Sequence, residues 1–226
     1  MSNTLRTDAI VLRRTNYGEA DRILQVITPN DGRLSVMARG VRREKSRLAG
    51  GIELFAVCDI VLHVGRGEIA TLTGAKMKIF WDKIMLDYDR MQFSYDAIKR
   101  VASASEMIDE PEFYNLLLDT LESLNNLKVD LTIIQTWFYL NLAKLLGNEL
   151  NTATDNNGMK LVEDIRYNFD TNNQVFVFDE VGIYDSNHIK LLRVINNNKP
   201  AIVAKISGSN DLINDCLRLA QIVAKV

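Results

Sequence analysis

Gly32-Arg33-Leu34-Ser35-Val36-Met37-Ala38-Arg39-Gly40-Val41-Arg42-Arg43-Glu44-Lys45-Ser46-Arg47-Leu48-Ala49-Gly50-Gly51 is the stretch on which the rest of the chain is organised. Leu34, Val36 and Ala38 alternate with Ser35, Met37 and Arg39, the period-two pattern of a half-buried strand. Gly40 breaks the pattern, and the next seven residues set Arg42, Arg43, Lys45 and Arg47 against one acid, Glu44. A cationic loop between two strands can hold the backbone of a polyanion, because guanidinium groups carry fixed charge and forked donors that match phosphate. Taken alone, the same run is also what a solvated surface loop looks like. The flanking chain decides between the two.

Upstream, Thr7 to Arg14 is apolar on both faces and reads as a central strand. Asn16 to Glu19 reads as a turn and Arg22 to Thr28 as a second strand. Pro29-Asn30-Asp31-Gly32 is a hairpin signal, since proline presets one turn dihedral and glycine accepts a positive one. Downstream, Ile52, Leu54, Ala56, Cys58, Ile60, Leu62 and Val64 are alternate positions, all apolar, and predict a fourth strand from Ile52 to Val64 with one buried face. Gly65-Arg66-Gly67 turns the chain into a fifth strand, Glu68 to Phe80. Five short antiparallel strands in this span predict a small barrel, of which the OB-fold is the common five-stranded form.

From Asp87 the period becomes helical. Met91, Tyr95, Ile98, Ala102 and Ser105 mark one helix, and Phe113, Leu117, Leu121 and Leu124 mark the next, entered through Pro111. Asp130 caps a third helix that ends at Gly147. It is apolar on so much of its circumference that it belongs at the centre of a bundle. Residues 151–160 are polar and turn-rich, and 165–178 reads as a short hairpin. Two helices follow, about Ser186–Asn196 and Asn210–Ala224. The fold class expected is therefore α+β: an N-terminal five-stranded OB-fold barrel over residues 1–81, then a mainly α-helical domain over 82–226 with a small β-hairpin insertion.

The 226 residues are 47% hydrophobic and 25% charged, ordinary for a globular protein. No apolar run is long enough to span a bilayer. The first residues lack the apolar core of a signal peptide, so the expected location is cytoplasmic. Cys58 and Cys216 are the only cysteines, too few for a disulfide framework or a zinc site built on paired cysteines. The net charge of −2 divides unevenly: residues 1–80 carry 13 Lys and Arg against 8 acids, and the remainder 14 against 21. Only the first part suits a phosphate backbone.

The first 80 residues resemble the RecO family of bacterial DNA-repair and recombination mediators. The likeness lies in Ala9-Ile10-Val11-Leu12-Arg13, Tyr17-Gly18-Glu19-Ala20-Asp21-Arg22, Thr28-Pro29-Asn30-Asp31-Gly32, and Ala38-Arg39-Gly40-Val41-Arg42-Arg43 with Ser46 and Phe55, in matching order and spacing. The stretch from Phe138-Tyr139-Leu140 to Leu145-Leu146-Gly147 resembles the family's central helix. The resemblance implies an OB domain followed by a helical domain, and a role without catalysis. Its members bind single- and double-stranded DNA, anneal complementary strands and bind the tail of the single-stranded-DNA-binding protein (SSB). With RecR, and in some settings RecF, they help load RecA. A bacterial, nucleoid-associated cytoplasmic location goes with that role. Many members carry a four-cysteine zinc site after the central helix. Here Thr152 and Asp155 stand in that region with no cysteine before Cys216, so neither zinc nor any other cofactor is expected, and the 165–178 hairpin is read as the remnant of that lobe.

The expected DNA-contacting residues are Arg39, Arg42, Arg43, Lys45 and Arg47, with Arg33 extending the track at the hairpin exit. Arg13 is an additional candidate, since Arg13 and Arg14 point to opposite faces of one strand. Lys76 and Lys78 share a face of the fifth strand, and lysines in such a place also serve to keep an edge soluble. Tyr17, in a turn, is placed to stack on bases, whereas Phe55 reads as core or domain interface. Glu19, Asp21 and Arg22 read as an ion pair at the end of a turn. His63 and His188 fall in different domains, and no nucleophile elbow, P-loop or GxGxxG is present, so an enzyme is not expected. The alternative reading is a protein–protein adaptor of the repair machinery that binds DNA only weakly, which the acidic remainder of the chain favours.

Overall fold

The computed structural model describes residues 4–108, 110–205 and 212–225. Their contacts divide the chain into two units, Met1–Asn125 and Asn126–Val226.

In the first unit the strands are β1 (Thr4–Tyr17), β2 (Asp21–Thr28), β3 (Gly32–Ala38), β4 (Ala56–His63) and β5 (Ile69–Phe80). They close into a barrel in the order β1-β2-β3-β5-β4, with β4 returning to β1. Every pairing is antiparallel except β3 with β5, which is parallel and short, from Ser35 opposite Ile69 to Met37 opposite Thr71. This is the OB arrangement expected from the sequence. Inside, Ala9, Val11, Leu24, Val26, Val36, Ala38, Cys58, Ile60 and Leu62 form the core. At the β2–β3 hairpin Thr28 is fully buried; its hydroxyl accepts from the Asp31 N–H at 3.2 Å and donates to the Gly32 carbonyl at 3.0 Å, while Gly32 takes a φ of 58°.

The fourth strand corrects the sequence reading. It begins at Ala56 rather than Ile52 and ends at His63. A 3-10 turn at Ala49–Gly51 precedes it, and Phe55 has a φ of 55°, which no extended strand tolerates. Ile52 and Leu54 still pack on the core, so their alternation reports burial without strand geometry. Gly51 is forced by space: a Cβ there would meet the Ala75 carbonyl carbon at 2.5 Å.

The helices α1 (Tyr88–Met107) and α2 (Glu112–Asn125) lie on the outside of the barrel, α1 against β1 and β3 and α2 against β2. They cover Ile10, Ile27 and Val57, which point away from the barrel interior and are nevertheless buried. The Asp87 carboxylate caps α1 by accepting the Arg90 N–H. The buried stripe of α1 is Phe93, Ala97, Ile98, Val101 and Ala104; of the expected line of Met91, Tyr95, Ile98, Ala102 and Ser105, only Ile98 is buried. Tyr95 is exposed, and its ring meets that of Phe55 edge-on, with centroids 5.0 Å apart. On α2 the expected stripe of Phe113, Leu117, Leu121 and Leu124 is fully buried.

In the second unit the central helix α3 (Leu131–Leu145) is capped by Asp130, whose carboxylate accepts from the Thr132 and Ile133 N–H groups, and is stopped at Gly147 with a φ of 83°. It packs against α4 (Ser186–Asn197), a short α5 (Pro200–Val203) and α6 (Ile213–Val223). The last helix was expected from Asn210, but that start falls outside the described residues. Between α3 and α4 lies the hairpin β6 (Tyr167–Asp170) and β7 (Val175–Phe178). Phe176 is fully buried at its centre, with the rings of Tyr167, Phe169 and Tyr184 set edge-on around it. The polar 151–160 stretch folds onto the same hairpin: the Asn156 N–H donates to the Phe176 carbonyl at 2.9 Å, and Asp155 accepts from the Asn157 and Met159 N–H groups. This lobe is held by edge-on rings and by turns closed through Asn151 and Asp155 side chains. Among the described residues no helix is long and apolar enough to cross a membrane.

Candidate nucleic-acid interface

The end of β3 meets the β1–β2 turn because Arg22 pairs with Ala38 in the β2–β3 register. That register sets Asp21 beside Gly40, and the Asp21 carboxylate accepts the Gly40 N–H at 2.7 Å. Gly40 takes a φ of 63°, so the chain leaves the strand sharply at this point. Val41 then turns inward and is almost fully buried in the barrel core. The Arg42 N–H donates to the Ala20 carbonyl at 2.9 Å, and its guanidinium donates to the Gly18 carbonyl at 3.3 Å. Two further turns follow, from the Arg43 N–H to the Gly40 carbonyl and from the Ser46 N–H to the Arg43 carbonyl.

The consequence is a loop fixed to the β1–β2 turn where it leaves β3, with its cations outward. Arg39, Arg42, Arg43, Lys45 and Arg47 are all exposed. Among the described residues none of the five makes an ion pair, nor does Arg13, which lies on the exposed side of β1 opposite Gln25. Tyr17 closes the β1–β2 turn opposite Asp21 and is 55% exposed, so its ring stands at the same end of the barrel as the loop. Unpaired cations beside an exposed aromatic ring are the elements of a single-strand-binding surface.

The other candidates stand apart. Arg33 begins β3, six residues before Arg39, which puts it roughly 20 Å away at the opposite end of the barrel. Its guanidinium donates to Glu106 of α1 at 2.8 Å. Lys78 donates to both oxygens of Asp8, at 2.9 and 2.7 Å, while Lys76 lies opposite Asp59 on β5 with no ion pair among the described residues. Arg14 pairs with Glu53. Arg22 donates to the Asn16 side chain rather than to an acid. Phe55 is buried, as expected of a core residue.

Asp21 is the functional side chain that sequence reasoning missed. Its role is to clamp the loop, and only the pairing of Arg22 with Ala38 could have placed it there. The two thiols are fully buried, and burial pushes Cys58 up to about 11 and Cys216 to about 12, so neither is a nucleophile at neutral pH. Among the described residues no three His, Cys, Asp or Glu side chains are grouped as a metal site.

Residues 1–80 match the family model described as "Recombination protein O N terminal". A protein named DNA repair protein RecO from Dehalococcoides mccartyi (strain ATCC BAA-2266 / KCTC 15142 / 195) is 30% identical over 219 residues, covering 93% of this chain and 85% of its own length. One of the same name from Roseiflexus sp. (strain RS-1) is 37% identical over 130 residues, covering 57% of this chain but only 45% of the relative. A third, from Alkaliphilus metalliredigens (strain QYMF), is 30% identical over 144 residues, 63% of this chain and 58% of its own length. The barrel order, the loop that follows its third strand and likeness along nearly the whole length to a curated relative agree: the chain belongs to the RecO family.

Proposed function

We propose that this chain acts in recombinational DNA repair by binding single- and double-stranded DNA at the Tyr17 end of its barrel, without catalysis. The observation that carries the reading is the loop of exposed cations, Arg39, Arg42, Arg43, Lys45 and Arg47, held in place by Asp21 and left without acidic partners among the described residues. Arg13 and Tyr17 extend the surface. Arg33, Lys76 and Lys78 are secondary, since Arg33 and Lys78 are already engaged by acids. Family membership supports the further steps: annealing of complementary strands, and loading of RecA, with RecR and in some settings RecF, onto strands covered by SSB, whose tail is a partner. Residues 1–81 are the nucleic-acid-binding part in this reading and 82–226 the helical part.

Phosphate contacts release counterions, so affinity falls with salt. For six cations on a single strand the slope of log K against log salt is about −4, at −0.7 per contact. Replacing Arg42, Arg43 and Lys45 together by alanine flattens it by about 2. An unchanged slope removes the loop from the interface. It also favours the second reading, an adaptor of the repair machinery with weak DNA binding, for which the excess of acids after residue 80 is the supporting observation.

A further inference from the structure

On one side β5 is paired with β4 as far as Phe80, but on the other β3 reaches only Thr71. Past that point the Ala49–Gly51 turn crosses the open side at Ala75. Among the described residues nothing pairs with the open edge of residues 76–80. All five of these residues, Lys76, Met77, Lys78, Ile79 and Phe80, are exposed. An edge of this kind presents unpaired N–H and carbonyl groups to any extended chain.

The register assigns the side chains to faces. Lys76 lies opposite Asp59 and Ile79 opposite Val57, both on the outer face. Met77 lies opposite Cys58 and Phe80 opposite Ala56, on the face that continues the barrel interior. Lys78 sits at the irregularity between them and reaches Asp8, so it too is on the outside. Asp59 is itself bound by Arg6, which leaves Lys76 as the unpaired charge nearest the edge. The edge is therefore apolar on its inner face, and its outer face carries Lys76 and Lys78 beside an exposed Ile79.

We propose that this edge docks an extended segment of a partner protein by β-augmentation, the segment alternating acidic with apolar residues. Main-chain bonds to the edge supply affinity, and the alternation supplies specificity. The segment's acidic residues face the side of Lys76, whose charge no acid among the described residues takes up, and its apolar ones face Met77 and Phe80. A second copy is disfavoured in the antiparallel registers centred on Met77 and on Lys78, which set Lys76 against Lys78 or Lys78 against its own copy. The sugar-phosphate backbone of DNA offers acceptors alone, so it cannot match the alternating N–H and carbonyl groups of the edge. The proposal assigns to a protein segment the lysines that the DNA reading keeps only as secondary contacts, and it does not involve the loop after β3.

The test titrates the full chain with a labelled peptide of alternating glutamate and valine, against a control of equal composition with the glutamates and valines in separate blocks. The alternating peptide binds, the blocked one does not, and amide exchange slows at residues 76–80. Lys76→Glu weakens binding about fivefold, and Met77→Thr with Phe80→Thr also weakens it while the oligonucleotide salt slope stays as in the parent. Equal binding of both peptides, or none, overturns the proposal. So does protection of 76–80 by an oligonucleotide, or a dimer of the free protein that Met77→Thr with Phe80→Thr dissolves.

Discussion

Two loops of similar length use the same device to opposite ends. In the loop after β3, one carboxylate, Asp21, accepts one backbone N–H, and the cations that follow make no ion pair among the described residues. In the 151–160 stretch, Asn151 and Asp155 each accept two backbone N–H groups, and the chain is tied down onto Phe176. There the polar groups are consumed by the fold. The difference teaches that polarity alone does not mark a binding loop; what marks it is polarity that folding has left unspent.

The comparison is broken most directly at Phe176. Truncation to alanine removes the centre of the ring cluster and costs about 3–5 kcal/mol. The prediction is a lower Tm for the second unit, with an unchanged salt slope for DNA at temperatures where the chain is folded. Gly51→Ala comes next, at about 1–3 kcal/mol, because its Cβ would press on the Ala75 backbone; denaturant unfolding measures it. Asp21→Ala leaves the Gly40 N–H without its acceptor and costs about 1–2 kcal/mol. Unlike the other two, it should also weaken oligonucleotide binding by loosening the loop.

The smallest effect is acid sensitivity. Burial would raise the Asp185 carboxyl, but bonds from the His188 ring and from the His188 and Asn187 N–H groups outweigh it and hold the group below its usual value. Its folded value lies below the unfolded one of about 3.9, so its contribution is complete above that pH and is lost as pH falls through the folded value. Asp170 is lowered in the same direction by Asn173 and by the N–H groups of Asn172 and Asn173. Thermal melts from pH 6 to 3 should show a decline that Asp185→Asn reduces.

The five strands and their hairpin turns were legible because alternation and turn residues are local signals. The start of β4 was not, since Ile52 is buried from a turn and so mimics a strand position. Of the expected face of α1 only Ile98 is buried, because Ala97 and Ala104, small enough to lie close on the barrel, look weaker in sequence than Met91 and Tyr95. The cations of the loop after β3 stood out in the sequence, but the partners of Arg33, Arg14 and Lys78 did not. Those partners lie far along the chain, as does the Gly40 clamp, and no periodicity encodes them.

The outward-facing Ile10, Ile27 and Val57 bear on where this polypeptide tolerates scissors. A fragment ending after Trp81 would leave a greasy wall on three strands bare to water. One ending after Asn125 carries its own cladding, which makes it the smaller piece worth expressing.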